Sequence, residues 1–314
     1  MTTRASGKAV GPGGKKIRLK RHQKELLFML LPGFLFFLIY KYFPMYGVLI
    51  AFKNFRIKKG ILGSPWADPL MKNFDSFFKS PYCNQVLRNT VVISLLKVVI
   101  GTLSCILLAV LISEVRNQRF KRVVQTATYL PHFLSWVVIY GVIYAIVSES
   151  SGLINVMRRA AGQRTIPILT STTLFTPMLF FTDVWKNAGW GAIVYLAAIA
   201  GIDPGLYEAA QIDGASRIQR IWYVTLACIR PTIVIMLILR LGSVMDAGFD
   251  QIYNLYNSQV YSVSDIIDTW VYRTGLEQLN YSTATAVGLF KSIISTALVF
   301  SVNAITRRWE ESLW

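Results

Sequence analysis

Asp183, Lys186, Asn187 and Trp190 fall at i, i+3, i+4 and i+7 inside one long apolar run, a spacing that puts them on one face of a helix. A carboxylate, an ammonium, an amide and an indole on one stripe can wall a path for a hydroxyl-rich solute. The polar groups exchange hydrogen bonds with it, and the ring covers its C–H face. The plainer alternative is an Asp183–Lys186 pair that merely neutralises itself. Arg240 and Asp246 stand in a second apolar run, Lys97 and Lys291 in two others. A charge near a bilayer centre is unfavourable by roughly 2.5–3.5 kcal/mol, so each should face the bundle interior, water or a partner. Arg240 carries a planar fork suited to carboxylates and ring hydroxyls alike; its alternative is a salt bridge to Asp183 or Asp246. Lys97 and Lys291 sit too deep to snorkel and are expected against a partner subunit or inside the bundle. The candidate path is therefore Asp183, Lys186, Asn187, Trp190, Arg240 and Asp246.

Catalytic and metal chemistry find little support. His22 and His132 are few and far apart, and Cys83, Cys105 and Cys228 have no zinc-ligand spacing and cannot all pair. No nucleophile or metal constellation is apparent in an aqueous segment, which argues against a membrane-bound enzyme.

The elements that must position these residues are membrane helices. Hydrophobic residues make up 54% of the chain and charged ones 16%. The apolar residues come in blocks close to the roughly 20 residues that cross a hydrocarbon core. Six blocks are expected to span, at about 26–48, 89–113, 123–147, 173–200, 223–247 and 283–306. Eight Lys or Arg precede the first, four lie in the 114–122 loop and Arg307-Arg308 follow the last, so these segments and the 202–222 loop are assigned to the cytoplasm. The 53–88 loop dissents: it holds seven Lys or Arg, yet parity puts it outside, as an ordered cap rather than a spacer. Residues 148–172 read as a short amphipathic helix along the surface. The formal net charge of +17 follows from these flanks and not from a nucleic-acid surface, because no aromatic–basic interleaving occurs in a soluble segment. Residues 1–25 form a basic cytoplasmic tail suited to anionic lipid, residues 26–314 the six-span domain. No small-residue cleavage site follows the first apolar run, so a cleaved signal peptide is not expected. Tyr253, Tyr256, Tyr261, Trp270, Tyr272 and Tyr281 crowd the 248–282 segment, either as interfacial belt residues or as an aromatic platform for a solute.

One polar segment interrupts the later spans. Asp203-Pro204 is a helix start, with a side-chain acceptor for orphan amides and a proline at the first helical position. A helix from about Pro204 to Ile212 should stop at Asp213-Gly214, where glycine accepts the left-handed conformation, and Ser216 can cap the next. Ala209 and Ala210 leave a smooth face beside Glu208. By local pattern alone this is a capped turn between two spans.

Glu208-Ala209-Ala210, a two-residue gap, Asp213-Gly214-Ala215, then Thr225-Leu226 and a closing Pro231 resemble the EAA loop of importer permeases, the joint on which their ATPase docks. The likeness extends from about Leu26 to the C-terminus. Leu31-Pro32-Gly33, Tyr42-Phe43-Pro44-Met45-Tyr46-Gly47, Gly60-Ile61-Leu62-Gly63-Ser64-Pro65-Trp66 and Tyr129-Leu130-Pro131-His132-Phe133 are similar to sugar-importer permeases related to MalF, above all the LplB-type branch associated with oligosaccharide uptake. Two departures stand past the docking helix, Ile221 where the family often has an aromatic and Ala227 where it often has proline. The resemblance implies an all-α integral membrane protein with six transmembrane helices of the type I ABC importer permease fold and both termini cytoplasmic. It implies a multi-pass subunit of the bacterial cell membrane, working with a second, related permease, two cytoplasmic ABC ATPases and an extracytoplasmic sugar-binding protein. Glu208, Ala209, Ala210, Asp213, Gly214 and Ala215 would be the coupling residues. The chain holds no G-x-x-x-x-G-K-[ST] loop, so it is expected to bind no cofactor, ATP and Mg being used by the partner ATPase. An ion-coupled secondary transporter could use the same membrane charges, but it leaves the 208–231 motif unexplained.

Overall fold

The computed structural model describes residues 21–242 and 244–306; most of the basic tail and Arg307-Arg308 lie outside them. Two units are separable, Met1–Val48 and Leu49–Trp314. In the first, helix α1 (Arg21–Phe37) runs past Pro32 into a π-helical turn at Leu38–Tyr42. A 3-10 stretch, Phe43–Phe52, continues it, and the apolar run Glu25–Phe52 is long enough to cross a bilayer. A membrane helix tolerates Pro32 because the freed carbonyl is re-satisfied by such local adjustments.

The second unit is helical, its only β pairing among the described residues being the bridge Lys53–Trp66. Helix α2 (Cys83–Ser113) is unbroken. Helices α3 (Gln118–Tyr129) and α4 (Trp136–Val147) follow, then α5 (Thr172–Ala200), α6 (Pro204–Ile212) and α7 (Arg217–Arg220). Helices α8 (Arg230–Gly242), α9 (Phe249–Leu255), α10 (Ile267–Tyr272) and α11 (Tyr281–Thr306) follow, and further short helices include Lys72–Phe78 and, within 148–172, Leu153–Ala160. Three runs among the described residues are straight, long and apolar enough to span: Glu25–Phe52, Cys83–Ser113 and Tyr281–Ala304.

Of the remaining expected spans, 173–200 is one helix, Thr172–Ala200, and the other two are bent. The block expected as one helix at 123–147 is two, with a 106° bend between Gln118–Phe133 and Trp136–Val147. Pro131 lacks a donor, and Ser135 caps the new helix by accepting from the Val138 amide at 3.3 Å. The block expected at 223–247 bends by 60° between Arg217–Cys228 and Arg230–Gly242, where Pro231 disfavours helix at the residue before it, and it ends short at Gly242. The second span begins earlier than expected, at Cys83.

Helices α2 and α5 form the centre. Small residues, Ala109 on α2 with Ala188 and Ala192 on α5, let the backbones approach around the fully buried Tyr195. Ile93 of α2, Phe175 and Leu179 of α5, Ile139 and Ile143 of α4 and Ile252 of α9 build a second apolar cluster. A third joins Val86, Phe77, Trp270 and Val287. On its other face α2 exposes Leu103, Leu107 and Leu111, as a lipid-facing helix should. The 53–88 segment is ordered, and its charges have local uses. Lys53 Nζ donates to the carbonyls of Ile61 (2.8 Å) and Leu62 (3.1 Å), while Asn73 donates to those of Ala51 and Lys53.

Candidate functional site

A cavity of about 380 Å³ opens between α2, α5 and α8, and five of the six path residues line it: Asp183, Asn187, Trp190, Arg240 and Asp246. The helical period accounts for the first three. Asn187 Nδ2 donates to Asp183 Oδ1 at 3.1 Å, and His132 Nδ1 lies 3.2 Å from Asn187 Oδ1. The imidazole also stacks on Trp190, with centroids 4.8 Å apart and planes parallel. His132 enters the cavity from the end of the 3-10 turn Leu130–Phe133. Sequence reasoning weighed it for metal or catalytic chemistry and not for the path; its signal was the proline before it.

Lys186 is the path residue that leaves the stripe. It is buried, and its ammonium donates to the carbonyls of His132 (2.8 Å), Leu134 and Pro131 (3.4 Å). The neutralising Asp183–Lys186 pair is therefore not formed among the described residues. A break inside a membrane helix leaves terminal carbonyls without amides, and a cation at that C-terminal end satisfies their hydrogen bonds and complements the dipole.

Arg240 comes from α8 and passes its guanidinium between α2 and α5. Its Nη2 donates to Cys105 Sγ at 3.3 Å. Two glycines make the slot: a Cβ on Gly101 would lie 2.8 Å from Nη1, and one on Gly191 3.1 Å from Nη2 and 2.4 Å from Cys105 Sγ. Lys97 also borders the cavity, but its ammonium donates to the Ala247 carbonyl (2.8 Å) and to Gln251 Oε1. The buried Gln251 amide donates in turn to the Leu179 carbonyl and Thr182 Oγ1. Lys97 thus fastens the turn at Gly248, whose φ of +87° requires glycine. Lys291 forms a bidentate pair with Asp268, both distances 2.6 Å. Both lysines have internal partners where a partner subunit was also expected. The cavity offers carboxylates, an amide, an imidazole, a guanidinium and an indole face, a set that exchanges hydrogen bonds with a polyol and stacks on its rings.

The 202–222 loop carries the second group. Asp203 Oδ1 accepts from the Gly205 amide at 2.9 Å, opening α6. The helix ends at Ile212, and Gly214 takes φ +79°. Ser216 and Gln219 form a capping box on α7. Glu208, Ala209, Asp213 and Gly214 are exposed, Ala210 and Ala215 half-buried. Leu206, Ile212 and Ile218 also stand out in the open, Ile212 at 86%. The loop is anchored from behind. Arg217 Nε pairs with the Glu114 carboxylate and Nη2 donates to the Glu114 carbonyl at 3.2 Å, tying α7 to the end of α2.

The 248–282 aromatics divide. Tyr253, Tyr256, Tyr261 and Tyr272 join one cluster, while Trp270 packs on Phe77 and Tyr281 on Phe55. Burial, reinforced by the neighbouring Tyr261, pushes the Tyr256 hydroxyl up to about 12, so it stays protonated at neutral pH.

The family described as binding-protein-dependent transport system inner membrane component matches residues 101–313. Protein LplB of Bacillus subtilis (strain 168) is 40% identical over 301 residues, 96% of this chain and 94% of that protein. The polygalacturonan/rhamnogalacturonan transport system permease protein YteP of the same organism is 41% identical over 289 residues, 92% of this chain and 89% of its own length. Among solved structures, a bacterial alginate ABC transporter in complex with an alginate pentasaccharide-bound periplasmic protein contains a chain 38% identical, with a TM-score of 0.83 over 93% of this chain and 97% of that one.

Proposed function

The chain belongs to the binding-protein-dependent transport system inner membrane components, the permeases of ATP-driven importers, and from that membership we propose that it carries an oligosaccharide through the cavity between α5 and α8. One observation carries the reading: residues from two separate spans, Asp183, Asn187 and Trp190 with Arg240 and Asp246, converge on one space. The substrates named for YteP and for the alginate transporter, both acidic polysaccharides, support a saccharide cargo. Arg240 is the natural partner of a carboxylate or ring hydroxyl in that space.

The test is uptake of labelled oligogalacturonate into proteoliposomes holding the whole complex and its binding protein. Arg240→Ala is expected to abolish uptake and to leave assembly and basal ATP hydrolysis intact, with Arg240→Lys recovering little because one ammonium cannot reproduce the fork. Exchanging the charges of Arg240 and Asp183, or of Arg240 and Asp246, should not restore transport. Full uptake by Arg240→Ala would end the assignment, and rescue by either exchange would make the residue structural.

The rest of the assembly follows from the same reading. Six spans, two of them bent, leave both termini and the 202–222 loop in the cytoplasm. The loop docks on one of two ATPase subunits through Glu208, Ala209 and Ala210, with Asp213, Gly214 and Ala215 setting the exit of the helix. A second, related permease completes the path, and an extracytoplasmic binding protein delivers the sugar. ATP binding would draw the docking helices together and open the cavity outward; hydrolysis would release it inward.

A further inference from the structure

Beyond the central cavity, at the Cys83 end of α2 and opposite the Glu114 end that holds the 202–222 loop, lies a cup of about 400 Å³. Its lining includes Gln85, Tyr261, Trp270, Arg273, Gln278 and Thr283. Arg273 and Asp265 are the only charged residues in that lining, and they pair with each other at 2.6 and 3.2 Å. Asp265 is buried and Arg273 nearly so. The guanidinium lies over the Tyr261 ring, 4.6 Å from its centroid. The cup is therefore neutral as a whole, with amides, a hydroxyl and aromatic faces. That is the chemistry of a site that reads sugar hydroxyls rather than carboxylates. Burying an ion pair is a poor way to gain stability alone; here it fixes a planar donor at a ring.

The cup is joined to the cavity by a line of rings. Gly248 lies on the cavity wall, and Phe249 follows it in the chain. Phe249 stacks on Tyr253 (5.2 Å), Tyr253 meets Tyr256 (6.0 Å), and Tyr256 meets Tyr261 (5.0 Å) at the cup. Tyr272 flanks the line, its ring 4.7 Å from that of Tyr253 and their hydroxyls 3.2 Å apart. A belt of interfacial aromatics has no reason to run from one polar cavity to another.

The geometry points to a second saccharide site in this cup, which holds one unit of the oligosaccharide by its hydroxyls while the chain passes along the rings to the cavity. The inference rests on the oligosaccharide reading above. In the detergent-solubilised complex, with Cys228 replaced by serine because it is the exposed cysteine while Cys83 and Cys105 are buried, Gln278→Cys supplies a reporter on the cup rim. Its labelling by biotin-maleimide is measured with tetragalacturonate and with the carboxyl-reduced, neutral tetrasaccharide. Both are expected to slow labelling to a similar extent, and sorbitol is not. Tyr261→Leu should weaken the protection about tenfold, the loss of one packed ring contact. Tyr261→Phe and the exposed neighbour Leu276→Ala should keep it, which separates recognition from misfolding. No protection by either sugar, protection by sorbitol or by the acidic sugar alone, or protection surviving Tyr261→Leu would each overturn the site. Protection without uptake would remove the transport reading and leave the cup; uptake without protection would do the reverse.

Discussion

Arg240 reaches the cavity because Gly101 and Gly191 have no side chains. A single methyl on Gly191 must displace either Cys105 Sγ, 2.4 Å away, or the guanidinium. Overfilling of this kind is unfavourable by about 1–3 kcal/mol. Gly191→Ala is therefore expected to lower the melting temperature of the complex modestly and to cut uptake nearly as far as Arg240→Ala does. Adding Cys105→Ala should recover part of both, since it vacates the space the methyl needs. Unimpaired uptake by Gly191→Ala would show that the slot does not position the arginine. The stripe Asp183, Asn187 and Trp190 was legible because a helix repeats every 3.6 residues. The slot was not: a glycine in an apolar run does not say whose side chain it admits. Lys186 was misplaced for a related reason. It lies at the stripe's edge by angle, but its long stem carries the ammonium to carbonyls on another helix, which a helical projection does not contain.

At the scale of elements, apolar length revealed where helices lie and said less about where they bend. Pro131 and Pro231 were not read as breaks, and the 106° turn before Trp136 also takes a donor from α5. Lys186→Met removes that donor from the carbonyls of His132 and Leu134, while Pro131 keeps the Leu134 amide; an acceptor left unmet is unfavourable by about 1–3 kcal/mol. The expected outcome is a clear fall in the melting temperature of the purified complex, with Lys186→Arg recovering much of it. A Lys186→Met complex as stable as the wild type would mean the break is satisfied by other means. Gly189 marks where α3 crosses α5, since a Cβ there would sit 2.0 Å from the Thr128 carbonyl oxygen. Gly189→Val is expected to prevent assembly outright, read as loss of the monodisperse complex on gel filtration. A normal elution profile for that variant would refute the close crossing.

For the molecule as a whole, the docking role proposed for the 202–222 loop requires that its motion reach the cavity. Arg217 pairs with Glu114 at the end of α2, and α2 carries Gly101 and Cys105 of the Arg240 slot, so one tie links the loop to the path. Glu208→Lys reverses the charge proposed to meet the ATPase, and Gly214→Val forces a left-handed residue into strain of about 1–2 kcal/mol. Both are expected to leave membrane insertion intact and to abolish sugar-stimulated ATP hydrolysis in the reconstituted complex. Stimulation preserved in both would remove the coupling role of the loop. Arg217→Glu should weaken stimulation, and the exchange Glu114→Arg with Arg217→Glu should restore some of it, a modest effect because the pair is partly exposed. The family was legible because its motif is local, six residues within positions 208–215, and the helical class because the apolar blocks are long. The path was only partly so, because its walls come from α2, α5 and α8, and no spacing along the chain encodes their meeting.

The lysine that completes the third span is encoded 54 positions after His132, the carbonyl it serves. The bent segment is therefore made before its donor, and the carbonyls of His132 and Leu134 gain the ammonium only once α5 is packed against them. A chain that ended before Lys186 would therefore carry the bend without the ammonium that serves it.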